Sequence, residues 1–245
     1  MKERLRRLSG RVIGAVVSRA AEAYFSSYYY SQRWHPHYAL LQDALADTVE
    51  YIKSNMTGAI IRRDARGVLA FASREVTLRD GLYLEFGVRT GTTINQLARL
   101  NRTATVYGFD SFEGLPEPWT GWTMDKGAFA GEGIPEVAPN VRLEIGWFDE
   151  TLPRFLATHD GDVALAHVDS DIYSSARTVL TELAPRIRPG SIIVFNEYFN
   201  YPNWREHEFK AFQEFCRELD VRYEYLCWGM YEVAVRIEAI RDEHR

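Results

Sequence analysis

Two cysteines in 245 residues, Cys216 and Cys227, exclude a disulfide framework and make a reducing compartment, the cytoplasm, the expected setting. No apolar run approaches the roughly 20 residues that a membrane helix needs, so no spanning segment is expected. Positive charge is not in excess either. Against 34 Asp and Glu stand 29 Lys and Arg, a formal charge of −5, so the chain lacks the basic face expected of a nucleic-acid partner. Hydrophobic residues at 46% and charged residues at 26% are the proportions of a globular protein, which excludes disorder and collagen-like repeats. A chain of this length removes roughly 70–75% of its unfolded surface from water. One large domain, alone or with an appendage, is the expectation.

The beginning of the chain is unlike the rest. Lys2, Arg4, Arg6, Arg7, Arg11 and Arg19 have only Glu3 as a counter-charge, and Leu5, Leu8, Val12 and Val16 recur at helical spacing. Arg19 interrupts the only stretch that could serve as a signal-peptide core. The basic amphipathic helix is read as packing on its own domain or on a second copy in a homodimer, with attachment to a membrane surface the competing reading. The pattern stays helical from Ala21 to Arg79. It runs through the aromatic cluster Tyr24, Phe25, Tyr28, Tyr29, Tyr30 and Trp34, read as core or interface, and the helical stretches 43–52 and 67–72. Residues 1–78 are therefore expected to form a helical extension, a cap or oligomer contact, ahead of a domain over 79–245.

From Leu82 short apolar runs alternate with helical stretches. The runs are 82–86, 105–110, 141–145, 163–169 and 191–196, and the spacing predicts helices after Thr92 and over 172–183. Such alternation implies an α/β fold with a parallel sheet and right-handed crossovers. The last two runs, 222–228 and 231–237, are separated by Gly229 and Met230 alone. That gap is too short for a parallel crossover, so they are expected as an antiparallel hairpin at the sheet edge. The fold class expected is a doubly wound, mostly parallel, seven-stranded sheet closed by this C-terminal hairpin, a Rossmann-like arrangement of the methyltransferase kind.

In open α/β sheets ligands bind beyond the carboxyl ends of the strands. Gly87-Val-Arg-Thr-Gly91 follows the first run, with a G-x-x-x-G spacing that differs from the G-x-G-x-x-G of a dinucleotide site. Glu85 near the end of that run is ill placed for a pyrophosphate and suited to an ammonium group. Asp110, at the end of the second run, is placed to accept from ribose hydroxyls. An adenosine bearing a cationic amino-acid tail meets these features, which describes S-adenosylmethionine.

Four blocks occur in order: Leu84-Glu-Phe-Gly-Val-Arg-Thr-Gly-Thr-Thr, Tyr107-Gly-Phe-Asp-Ser-Phe-Glu-Gly-Leu-Pro, Gly146-Trp-Phe-Asp-Glu-Thr-Leu-Pro and His167-Val-Asp-Ser-Asp-Ile-Tyr. Together they resemble the macrocin O-methyltransferase family, whose members methylate sugar hydroxyls of macrolides and act on related natural products. The resemblance covers roughly residues 80 to 238. It implies cofactor contacts from Glu85, Gly87, Thr90, Gly91, Thr92, Asp110 and Ser111, with the Trp147-Phe148-Asp149 turn bordering the adenine.

A second signal is acidic. Asp169 ends one run and Asn196-Glu197 ends the next, so adjacent parallel strands would bring the three together. Oxygen ligands suit a hard cation such as Mg²⁺. The resemblance implies a metal held by an Asp on the first strand and an Asp-Asp pair on the second. Here Asn196 and Glu197 stand in place of that pair, and the more loosely similar catechol O-methyltransferases include an Asn at such a site. The alternative is that Asp169 and Asn196 only cap loops. Asp171, before the 172–183 helix, is read as an N-cap. His207 is a candidate proton acceptor, having an unperturbed pKa near 6.5. The competing reading makes it a solvated helix residue. His167 is expected to pack in the core.

The expected activity is methyl transfer from S-adenosylmethionine to a hydroxyl of a small natural product or sugar, assisted by Mg²⁺. Two alternatives stand beside it. One is a metal-independent methyltransferase of a phenol-type small molecule, with His207 or Asp169 as base; the other is a non-catalytic cofactor-binding protein with a decayed metal site.

Overall fold

The computed structural model describes residues 17–21, 23, 35–131 and 133–241. The cationic and apolar positions from Lys2 to Val16, the aromatic cluster from Tyr24 to Trp34, and His244 lie outside the described residues. The chain divides into two units, Met1–Asp43 and Ala44–Arg245. In the first, the described residues are helical at 17–21, at 23 and from Pro36 onward. Helix α1 (Pro36–Asn55) begins in the first unit and ends in the second. No helix among the described residues is long and apolar enough to cross a membrane.

The second unit holds an eight-stranded sheet in the order β1-β7-β8-β6-β5-β2-β3-β4. The strands are β1 (Ile60–Ile61), β2 (Leu82–Phe86), β3 (Val106–Asp110), β4 (Val141–Ile145), β5 (Val163–Val168), β6 (Ile192–Phe195), β7 (Arg222–Trp228) and β8 (Val233–Ala239). The β6-β5-β2-β3-β4 stretch is parallel throughout, while β8 runs antiparallel to both β6 and β7. The expected fold class is therefore observed, with one strand more than the seven expected. The extra strand is β1, a two-residue piece paired parallel to β7 outside the hairpin. Two residues are too few to show a period.

Helices α2 (Ala65–Glu75), α3 (Thr92–Leu100), α4 (Phe148–Leu156), α5 (Tyr173–Leu183) and α6 (Glu208–Glu218) complete the domain. The uniformly helical reading of 21–79 is corrected: residues 56–64 form a loop and β1, and 76–81 lead into β2. Helix α2 starts at Asp64, whose Oδ1 accepts from the Gly67 amide, and it buries Val68, Leu69 and Ala72. Strands β2 and β5 are buried at every position because helices cover both faces of a parallel sheet. Two apolar clusters form the core, one holding Leu84, Phe86, Phe109 and Phe195, the other Tyr83, Ile94, Leu165 and Val194.

Candidate active site

The strand order sets the carboxyl ends of β4, β3, β2, β5 and β6 in a row, and a cavity of about 570 Å³ lies along them. A volume of this size suits a cofactor-scale ligand. Backbone bonds continue past the strands: the Gly87 amide donates to Phe109 O, Asp169 N to Phe86 O, and Asn196 N to Val168 O, each 2.9 Å. These bonds hold the loops after neighbouring strands at a common level. Gly87 turns the chain with φ +94°, and a Cβ there would lie 1.8 Å from the Asp169 carbonyl oxygen. Only glycine lets this loop cross so close to the end of β5.

Gly87, Thr90, Thr92, Asp110, Ser111, Trp147, Phe148 and Asp149 line the cavity; Gly91 and Glu85 do not. Asp110 Oδ2 accepts from the amides of Val88 and Arg89, both at 2.8 Å, and Oδ1 from that of Phe112 at 2.7 Å. A carboxylate has about four acceptor positions, so Asp110 braces the glycine loop and keeps a position for a ligand hydroxyl. The expectation for Glu85 needs correction. Its side chain is buried beneath the loop, accepting from Thr93 Oγ1 and joined to His167 Nδ1, both at 2.9 Å. Burial alone would push the His167 imidazole down. The bond and charge of Glu85, with the charges of Asp169 and Glu208, outweigh it and raise it to about 9.

At the β5–β6 end of the cavity Asp169, Asp171 and Glu197 offer oxygens within 4.8 Å of one another. Burial and mutual repulsion lift these groups together: Asp169 to about 7, Asp171 to about 8, and Glu197 well above the carboxylate range. The nearby His167 charge acts against the rise at Asp169, and Arg89 against that at Asp171. Among the described residues, Glu197 Oε2 is buried without a hydrogen-bond partner. The donor set is all oxygen, includes an atom unpartnered among the described residues and becomes anionic once a cation displaces its protons, which fits a hard divalent cation.

Two expectations change here. Asp171 is not an N-cap: Ile172 holds that position without a side-chain cap, and Asp171, at φ +64°, belongs to the carboxylate cluster. Asn196 lines the cavity, but its amide nitrogen donates to Asp169 Oδ1 at 3.3 Å and to Glu197 Oε1 at 2.6 Å. In this orientation it is a donor between two carboxylates, and a half-turn of the amide would present its oxygen instead.

His207 is neither solvated nor in the cavity wall. It is 5% exposed, and its Nε2 lies 2.8 Å from the Thr120 carbonyl oxygen, so that nitrogen carries the proton. Burial pushes its pKa down, and among the described residues Nδ1 has no partner. The residue after it, unremarked in the sequence, has the larger part. Glu208 is fully buried, with Oε1 accepting from the Ser170 amide and Oε2 from the Glu197 amide, both at 3.0 Å. Glu-His-Glu at a helix start looks like solvated charge, so nothing in the sequence pointed to it. Arg89, stacked 4.5 Å over Phe129, and Trp119 also line the cavity, and neither carries a motif that marked it beforehand.

Residues 84–198 match the family model described as a methyltransferase domain. The chain is 31% identical over 150 residues to an 8-demethyl-8-(2,3-dimethoxy-alpha-L-rhamnosyl)-tetracenomycin-C 4'-O-methyltransferase of Streptomyces olivaceus, covering 51% of this chain and 56% of that protein. It is 27% identical over 143 residues to a demethyldecarbamoylnovobiocin O-methyltransferase of Streptomyces niveus, covering 51% and 52%. The chain thus spans about half the length of the curated relatives it matches. Among solved structures it resembles CalS11, a calicheamicin methyltransferase, with TM-score 0.56 and 26% identity over 69% of this chain and 76% of that one. Over residues 84–198 the chain is thus similar to methyltransferase domains.

Proposed function

We propose that this chain is an S-adenosylmethionine-dependent O-methyltransferase of the macrocin type, working with Mg²⁺ in the cytoplasm on a hydroxyl of a small natural product or sugar. The observation that carries the reading is the meeting, in one cavity, of the Gly87–Thr92 loop with the Asp169, Asp171 and Glu197 cluster and its unpartnered oxygen. Similarity to enzymes named for methylating a rhamnosyl group and a novobiocin precursor supports the acceptor class. Two free, buried cysteines suit a reducing compartment.

Trp147, Phe148 and Asp149 at the β4 end would border the adenine. Asp110 and Ser111 would take the ribose, and the Gly87–Thr92 loop the amino-acid tail. When bound, the cofactor supplies a methyl group already activated by its sulfonium, and the cation supplies Lewis-acid charge beside the acceptor oxygen. Asp169, Asp171 and Glu197 would hold that cation. With His207 outside the cavity, the groups left there to receive the hydroxyl proton are carboxylates, Asp169 among them. Holding donor and acceptor in line contributes up to ~7–11 kcal/mol.

The test pairs calorimetry with turnover. S-adenosylmethionine should bind with 1:1 stoichiometry, and small acceptors bearing a rhamnosyl group should gain a methyl group in a reaction that EDTA stops and Mg²⁺ restores. Turnover unaffected by chelator would remove the metal, and failure of the cofactor to bind would overturn the whole reading.

A further inference from the structure

We infer that Glu208 is a positioning residue: its carboxylate ties the loop after β5 to the loop after β6 and so fixes the spacing of the three cation-holding carboxylates. The inference rests on the metal reading above. Glu208 opens α6, outside both loops, yet its oxygens meet one backbone amide from each. Ser170, between Asp169 and Asp171, donates through its amide at 3.0 Å and through Oγ at 3.4 Å to Oε1. Glu197 donates through its own amide at 3.0 Å to Oε2. One rigid planar group therefore fixes the backbone of all three carboxylate residues. Two of them flank its first partner and the third is its second partner.

The surroundings fit this part. The position is fully buried, and a buried carboxylate is costly unless its oxygens are satisfied. It also sits in the first turn of α6, where the helix dipole favours an anion. Asp171 adopts a left-handed backbone, at φ +64°, that a non-glycine residue keeps only when its neighbours hold it. The Glu208 bond to Ser170 is one residue away. Groups that orient metal ligands from behind change metal affinity by 10–100-fold when altered.

Two substitutions separate bracing from charge. Glu208→Gln keeps the length but turns an amide donor toward one of the two N–H groups. Glu208→Asp keeps the charge but is one methylene short of bridging both. If the span matters, both variants bind Mn²⁺, used alone as an electron-spin-resonance probe, at least about tenfold more weakly than the parent. S-adenosylmethionine affinity, read by calorimetry, should stay within about twofold in both and so reports that the fold and the cofactor loop are intact. Unchanged Mn²⁺ affinity in both variants overturns the inference, and so does weakening in the Gln variant alone, which would mean that only charge counts. A variant that loses cofactor binding as well assigns Glu208 to the fold and overturns the specific role. Parent protein that binds no Mn²⁺ overturns the metal reading itself, and this inference with it.

Discussion

Glu85 and His167 stand opposite one another in register on the parallel strands β2 and β5, joined by a 2.9 Å bond in the protein interior. The pair lies directly beneath the loop that begins at Gly87 and the carboxylate that follows β5. Removing one member leaves the other polar and buried, which costs about 3–5 kcal/mol. His167→Leu should therefore lower the urea midpoint sharply. The double variant Glu85→Leu/His167→Leu, which buries no lone charge, should recover much of the loss. A double variant at least as unstable as the two single losses summed would contradict this.

The same pair sets a pH dependence. The His167 imidazole is raised from 6.5 to about 9, so the folded state binds its proton more tightly than the unfolded chain. The stability this contributes is fully present below about pH 6.5 and is lost as pH rises through about 9. Urea unfolding at pH 6 and pH 9.5 should show a larger drop in the parent protein than in His167→Leu, which keeps only the share of the raised carboxyl groups.

Asp110 holds three backbone amides of the glycine loop and its neighbour while lining the cavity. Asp110→Ala should weaken S-adenosylmethionine binding by about 1–3 kcal/mol per lost charged hydrogen bond. It should also speed hydrogen exchange at Val88 and Arg89. Calorimetry with unchanged affinity would mean that the loop is held without it.

The fold could be read because its strands are long enough to show a pattern. The runs at 82–86, 141–145 and 222–228 coincide with β2, β4 and β7, and the two-residue gap after Trp228 gave the hairpin. The site was legible only where a side chain belongs to the loop it serves, as with Gly87, Asp110 and Asp169. Asp171 was misread because an acid ahead of a helix ordinarily caps it, and only the left-handed backbone turns it elsewhere. Glu85 was misread because its partner, His167, is 82 residues distant. Glu208 reaches both cavity loops from 11 and 38 positions away. A sequence records what residues are, and such bridges are set by tertiary packing.

The raised carboxyl groups give a metal-dependent prediction. Asp169 and Asp171 stand at about 7 and about 8 in the folded protein against 3.8 ordinarily, so without metal they cost stability as pH rises through that window. A cation must displace their protons and competes better when they are already gone. Thermal unfolding should therefore show a larger Mg²⁺-induced rise in Tm at pH 8.5 than at pH 6. Equal shifts at both pH values would argue that the cation binds elsewhere.

Asn196 is the position where the chain departs from an all-acidic pattern, and its amide nitrogen now separates Asp169 Oδ1 from Glu197 Oε1. Asn196→Asp removes that donor and adds a carboxylate among three that already repel one another. In chelator the variant should unfold at a lower temperature than the parent, since two hydrogen bonds become one more repulsion. With Mg²⁺ the balance reverses. The added charge stands within ligand reach, so less Mg²⁺ should be needed for half-maximal stabilisation and for half-maximal methyl transfer. Asp169→Asn should need much more or fail. Titrating Mg²⁺ against Tm and against rate in the three proteins checks both halves. Three superimposed, chelator-insensitive curves would leave the Asn196 amide as a structural link and a cavity carboxylate as the sole activator of the hydroxyl.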